Sequence, residues 1–297
     1  MYVAKIKTFK KMYKSTFKKT HVYHDLTMLG YYLAGVWEGD GHTKKNPSST
    51  SVHITMHKKQ APCVTKLLAL LSRVCDDPVG SVHVRDDNNS CVLNVYTPRG
   101  LTLIVQLMCD KLQTPKAIQL NDVIDWLNTH HNTRFNHVHF KQQTALDLTT
   151  PWFAGFTETD GSFGIDLSTK TRLKVSCQFQ MNQRRTNPKS NNLEYSFIFN
   201  AIASTLGVNL HTIMEKKSGR YYYAIKATSR KSKDILRRYF DTYPLLTSKF
   251  LDYKDWCAVD DLLKEKKLRE HLEQIQAYKA GMNDRRHKFT WEHLLKL

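Results

Sequence analysis

Two kinds of pattern alternate along the chain, and their order occurs twice. Residues 60–74 (QAPCVTKLLALLSRV) carry apolar side chains at helical spacing, with Leu67, Leu68 and Leu71 on one side. Residues 51–57 instead alternate strictly. Val52, Ile54 and Met56 point one way and His53, Thr55 and His57 the other, which predicts a strand with one buried and one wet face. Residues 172–182 alternate without a break. Leu173, Val175, Cys177, Phe179 and Met181 face a core; Arg172, Lys174, Ser176, Gln178, Gln180 and Asn182 face outward. Turn sequences at Asp87-Asn88-Asn89 and Lys217-Ser218-Gly219 predict hairpins over 80–97 and 210–227. Further helices are expected at 101–112, 116–128, 193–206 and 231–239. From 252 onward the pattern predicts a charged helical tail on the back of its domain.

Each series is headed by a similar stretch. The first is Leu33-Ala34-Gly35-Val36-Trp37-Glu38-Gly39-Asp40-Gly41, and the second Phe153-Ala154-Gly155-Phe156-Thr157-Glu158-Thr159-Asp160-Gly161. Both read as the last turns of a helix followed by a short strand. Pro151 suits a first turn, and Gly41 and Gly161 suit the stop. A duplicated chain follows: a basic arm (1–25), a first half (26–128), a polar linker without periodicity (129–148) and a second half (149–297). Each half reads helix, two strands, helix, two strands, helices. A carboxylate at a helix C-terminus is unfavourable by about 0.3–1 kcal/mol. Asp40 and Asp160 occupy that position in both copies, which points to a shared positive partner such as a divalent cation. Two well-packed helices with capped ends remain the plainer alternative. The small pairs Ala34-Gly35 and Ala154-Gly155 would let the helices approach closely.

These stretches resemble the two motifs of single-chain, intron-encoded LAGLIDADG homing endonucleases. The resemblance extends to Gly161-Ser162-Phe163, to the block from Tyr239 to Lys249 and to Asp255-Trp256-Cys257. It implies an α+β fold of two pseudo-symmetric αββαββα halves, with the motif helices at the interface and two antiparallel sheets forming a DNA-binding saddle. It implies a monomer that recognises a long asymmetric target through the major groove and cuts one phosphodiester in each strand. The duplex would span two turns of about 10–10.5 bp each. Implied metals are Mg²⁺ or Mn²⁺, with Ca²⁺ binding without supporting cleavage. Asp40 and Asp160 would be the metal ligands, with Gly39 and Thr159 in the same set. Gln183 and Lys226 match the family's active-site glutamine and lysine. The first half departs: Met56 takes the glutamine position, and Asn94 falls near the lysine position with a one-residue shift allowed. Glu38 and Glu158 are taken as structural.

DNA contact is expected from His53, Thr55, His83, Arg85 and Asn94 in the first half. In the second it is expected from Ser162, Asp166, Lys170, Arg172, Lys174, Ser176, Gln178, Gln180, Asn182, Arg184, Lys216, Arg220 and Tyr222. Arg and Lys match guanine acceptors or phosphates, and Gln and Asn match adenine edges. An ordinary wet sheet face would mix in acids, and 172–182 has none.

Composition agrees. The chain has 297 residues, 41% of them hydrophobic, enough for two cores. The net charge of +18 calls for a polyanion, nucleic acid before an acidic membrane surface. No stretch approaches ~18 consecutive apolar residues, so no membrane span is expected. The six cysteines form no CxxC pair and read as reduced thiols. His130, His131, His137 and His139 lack ligand partners at metal spacing and read as solvated. The arm has seven lysines and no acid before Asp25. It suits phosphate contact better than an organelle transit peptide, and it lacks the apolar core of a secretory signal. Residues 184–192 read as a mobile basic loop near phosphate. The resemblance also implies residence in a mitochondrion or chloroplast. It leaves open an RNA-splicing maturase acting on intron RNA, or a non-catalytic DNA-binding protein.

Overall fold

The computed structural model describes residues 21–142, 144–168, 172–265 and 268–297. Most of the basic arm, and Lys170, lie outside the described residues.

The first half opens with α1 (Leu26–Asp40), whose start is capped by the Asp25 carboxylate accepting from the Thr27 and Met28 amides. It continues through β1 (Gly41–Asn46), β2 (Ser49–His57), α2 (Ala61–Cys75), β3 (Gly80–Arg85), β4 (Ser90–Val95) and α3 (Pro98–Met108). A 3-10 turn (Pro115–Leu120) then leads into α4 (Asn121–His130). The second half runs α5 (Trp152–Asp160), β5 (Gly161–Ser168), β6 (Lys174–Arg184), a two-residue pair β7 (Thr186–Asn187) and β8 (Leu193–Glu194), then α6 (Ser196–Leu206). It ends with β9 (Leu210–Glu215), β10 (Arg220–Ala227), α7 (Arg230–Thr242), α8 (Lys249–Lys264) and α9 (Leu272–Ala280). The two four-stranded sheets have the same antiparallel order, β1-β2-β4-β3 and β5-β6-β10-β9.

Most elements follow the periodicities. α3 starts three residues earlier than its apolar run, because Thr97 caps it by accepting from the Gly100 amide and Pro98 fits the first turn. The helix expected from 193 starts at Ser196, since Leu193 and Glu194 pair with Thr186 and Asn187. The basic loop expected there is therefore a small hairpin. The charged tail packs on its domain as expected, but not all of its charges reach solvent. Asp260 is fully buried on α8 and takes Arg230, Lys233 and Arg237 from α7. The linker has no strand among its described residues, yet Val138 and Leu146 are buried and His137 pairs with Asp125 at 2.6 Å.

α1 and α5 pack side by side through their glycines. A Cβ on Gly35 would stand 2.1 Å from the Trp152 carbonyl oxygen, and one on Gly155 2.0 Å from the Tyr32 carbonyl oxygen. The glycines after the helices serve a different purpose from the expected left-handed stop. Gly41 and Gly161 are extended (φ −81° and −89°), so conformational freedom is not what selects them. Space is: a Cβ at Gly41 would lie 2.1 Å from the Trp37 ring, and one at Gly161 2.7 Å from Thr157 Cγ2.

Glu38 and Glu158 are buried and do structural work. Glu38 accepts from the Gln113 and Thr114 amides and the Trp152 indole. Glu158 accepts from the Leu246 and Thr247 amides, the Thr247 hydroxyl and Tyr32 Oη. Glu158→Ala would strand several buried donors, at about 1–3 kcal/mol each. A fall in the urea midpoint worth at least ~3 kcal/mol is expected, and an unchanged midpoint would refute this bracing role.

Candidate active site and nucleic-acid interface

The motif helices bring their last residues together. A Cβ on Gly39 would lie 1.8 Å from Thr159 Oγ1, so the two C-termini touch one residue before the acids. Asp160 Oδ2 receives Gln183 Nε2 at 3.0 Å and Thr159 Oγ1 at 3.4 Å. Burial and the nearby Asp40 charge push the Asp160 carboxyl up to about 7, while Lys116 and Lys249 pull it down. Asp40 keeps an exposed edge. Its carboxyl is also raised, through desolvation, against the same two lysines. Among the described residues no hydrogen bond reaches the Asp40 carboxylate, nor Oδ1 of Asp160.

Those two lysines were not read from the sequence as functional, and the structure shows how they arrive. Glu38 ties down the Gln113-Thr114 peptide, and two residues on Lys116 turns back. Its Nζ donates to the carbonyls of Trp37 (3.4 Å), Gly39 and Gly41 (3.1 Å). Glu158 ties down Leu246-Thr247, and Lys249 Nζ donates to the carbonyls of Thr157 (2.8 Å) and Gly161. Each lysine thus neutralises the exposed carbonyls at a helix C-terminus and faces both acids. Their signal lay in the matching segments Thr114-Pro115-Lys116 and Thr247-Ser248-Lys249.

Lys226 stands elsewhere. It lies on β10 opposite Gln180, on the outer face, with Nζ 3.5 Å from Asp166 Oδ2. The lysines that act on both acids are Lys116 and Lys249. Register also fixes the asymmetry between the halves. Gly161 pairs with Met181, two residues before Gln183, and Gly41 pairs with Ile54, two residues before Met56. Met56 therefore stands where Gln183 does, buried and without a donor. Asn94 pairs with His53 as Lys226 pairs with Gln180, so it matches Lys226 with no shift.

The donor set suits a hard cation. Two carboxylates with unbonded oxygens meet in one place, and their mutual repulsion needs a counter-charge. No set of three or more His, Cys, Asp or Glu ligands occurs among the described residues. Two carboxylates, with substrate phosphate and water completing the shell, are the usual provision for Mg²⁺.

The outer sheet faces carry most of the expected contacts. Lys174, Asn182, Arg220 and Asp166 are exposed; Ser162, Ser176, Gln178, Gln180, Arg184 and Tyr222 are half-buried on the same side. Arg172 is exposed just before β6, and Lys216 is exposed in the β9–β10 turn. Asp166 is engaged by Lys226 and by Gln178 Nε2 (3.3 Å). In the first half His83 and Arg85 are exposed on β3, with Thr55 and Asn94 half-buried beside them. His53 differs from its expected role. It is 6% exposed, bonded to Ser51 Oγ at 2.7 Å and covered by the ring of His42 (centroids 4.8 Å apart). His42, on the strand that leaves the first motif, is the ring that faces out, and short β1 gave too little alternation to show it. A cavity of about 540 Å³ joins Asp40 and Lys249 to Gln178 and Gln180, so Asp40 opens onto a sheet face.

Comparison with known proteins gives a consistent picture. The family model described as LAGLIDADG endonuclease matches residues 153–259. The chain is 27% identical over 303 residues to the intron-encoded DNA endonuclease aI3 of Saccharomyces cerevisiae, covering 90% of this chain and 72% of the relative. It is 32% identical over 122 residues to the probable intron-encoded DNA endonuclease aI1 of Mycosarcoma maydis, covering 39% of this chain and 94% of that one. The fold is similar to the crystal structure of the I-LtrWI LAGLIDADG homing endonuclease bound to target DNA. There the TM-score is 0.64 at 17% identity, over 88% of this chain and 100% of the other.

Proposed function

This chain is a member of the LAGLIDADG endonuclease family, and from that premise we propose that it is a site-specific DNA endonuclease. It recognises a long, asymmetric duplex through the major groove and hydrolyses one phosphodiester in each strand. The observation that carries this reading is the meeting of Asp40 and Asp160 at paired helix ends, faced by Lys116 and Lys249, between two sheets with polar and basic outer faces. The family and the fold fit a monomer with a pseudo-two-fold axis. Encoding of relatives by introns of fungal genes, one of them cox1, fits a mitochondrial setting.

Asp40 and Asp160 would hold Mg²⁺ or Mn²⁺. Bound there, the metal supplies charge neutralisation on the scissile phosphate and a water of lowered pKa. The chain's own groups do the rest. Gln183 fixes Asp160 by one oxygen and leaves the other without a hydrogen bond among the described residues. Lys116 and Lys249 offset the repulsion between the acids and add positive charge where negative charge develops on the phosphate. The sheets set the register of the duplex over the acids. Selection of cleaved sites from a random duplex library with Mg²⁺ tests the function. Recovery of no cleaved sequence in Mg²⁺ or Mn²⁺ would reject it.

The Gln183–Met56 difference makes unequal strand cleavage the expected result. One nick should accumulate before the second, as read with separately labelled strands. Gln183→Met should slow only one of the two. Equal effects on both would contradict the assignment.

Asp160 also gives a pH dependence. Its carboxyl keeps a proton up to about 7 in the fold but releases it near 3.8 when unfolded. Between these values the folded state binds more protons, so metal-free stability falls as pH rises. The melting temperature in EDTA should drop from pH 5 to pH 7.5 more steeply for the wild type than for Asp160→Asn. Adding Mg²⁺ should flatten the wild-type curve. Parallel curves would show that Asp160 carries no such shift.

A further inference from the structure

We propose that Lys189 binds the DNA backbone on behalf of the other half of the molecule, pinning a phosphodiester over the first half's turn that carries Lys116. The proposal rests on the endonuclease reading for its ligand and goes beyond it in the residue.

The two halves differ in the link after the second strand. β2 reaches α2 through three residues, Lys58–Gln60. β6 reaches α6 through residues 185–195, which include the β7–β8 hairpin. This hairpin is braced. Arg185 pairs with Glu194 at 2.7 Å, and Tyr223 Oη donates to the same carboxylate at 2.9 Å. Its turn docks on the first half. Asn187 (6% exposed) and Ser190 (fully buried) both accept from Gln119 Nε2, at 3.4 and 3.3 Å. Gln119 lies on the 3-10 turn that carries Lys116. The Asn187 side chain also accepts from the Lys189 amide at 3.0 Å, which fixes the backbone from which that side chain leaves.

Lys189 itself is exposed. It stands on a hairpin of the second half whose turn docks on the 3-10 turn of the first half that carries Lys116. The mirror arrangement exists: Gln60 bonds Ser248 (2.6 and 2.8 Å), beside Lys249. There the adjacent Lys59 meets Asp284 at 3.8 Å. Among the described residues no carboxylate pairs with Lys189. An exposed lysine without a carboxylate partner, held by one half against the turn of the other, is matched by a polyanion that lies across both. A phosphodiester backbone over the saddle is such a ligand.

The test compares full-length wild type, Lys189→Ala and Lys189→Arg in binding a duplex of about 30 bp without divalent metal, over a range of salt. For Lys189→Ala the dependence of log affinity on log salt should be shallower by about 0.9, one phosphate contact. Affinity should fall several-fold with an unchanged melting temperature, and Lys189→Arg should behave as wild type. An unchanged salt slope in Lys189→Ala overturns the proposal, as does an Arg variant as impaired as the Ala one. Binding is read apart from cleavage. Failure of the wild type to cut any selected duplex would reject the endonuclease reading, while the salt slope would still decide whether Lys189 meets backbone phosphate.

Discussion

Asp160→Asn is expected to slow double-strand cleavage at least about 10³-fold while raising metal-free stability at neutral pH. Both effects follow from one fact: the carboxylate is held against a second carboxylate in a buried position. An amide keeps the shape and the Gln183 contact but removes the repulsion with Asp40 and weakens the metal site. Asp40→Asn should lose cleavage similarly, with a smaller gain in stability because Asp40 has an exposed edge. Duplex binding should survive in both, since the reading surfaces lie on the sheets. Cleavage of a plasmid carrying a selected site, anisotropy with a labelled duplex and thermal melts in EDTA give the three readouts. Wild-type cleavage rates in either variant would remove the acids from the chemistry.

The second large effect concerns packing. Gly155→Ala would add one methyl to α5, which by helix propensity alone should stabilise by about 1 kcal/mol. Its Cβ would instead stand 2.0 Å from the Tyr32 carbonyl oxygen, a backbone atom of a helix itself wedged by Gly35. Overpacking of this kind costs about 1–3 kcal/mol and more where the backbone cannot move. A net loss of about 2 kcal/mol or more is expected, together with slower cleavage, because the helix ends that carry the acids would separate. Urea denaturation and a cleavage assay on the same preparation measure both. A gain in stability would show that the two helices do not touch at this point.

Much of the architecture was legible because it is written in local periods. β2, β6 and the two motif helices needed only alternation and small-residue spacing. Gln183 was legible only through the resemblance, which implies a glutamine at the end of the second strand, and it is bonded to Asp160. What escaped depended on contacts between distant segments. Lys116 and Lys249 look like ordinary surface lysines until Glu38 and Glu158 are seen to fold their loops onto the helix ends. Lys226 matched the family's fourth-strand lysine, yet its partner is Asp166. His53 had the parity of a reading residue, but a neighbouring strand places His42 over it. The charged run in α8 suggested a helix with its charges in solvent, whereas three cations from α7 converge on Asp260 and allow its burial. The β7–β8 hairpin has two residues per strand, too few for any alternation to register.

At Gly35 and Gly155 α1 and α5 meet through main-chain atoms, with no side chain to act as a spacer. The separation of the two acids is therefore a property of the backbone. On the proposed reading, exchanging residues on the outer strands should change the target, while the stagger between the two nicks stays the same in every such variant.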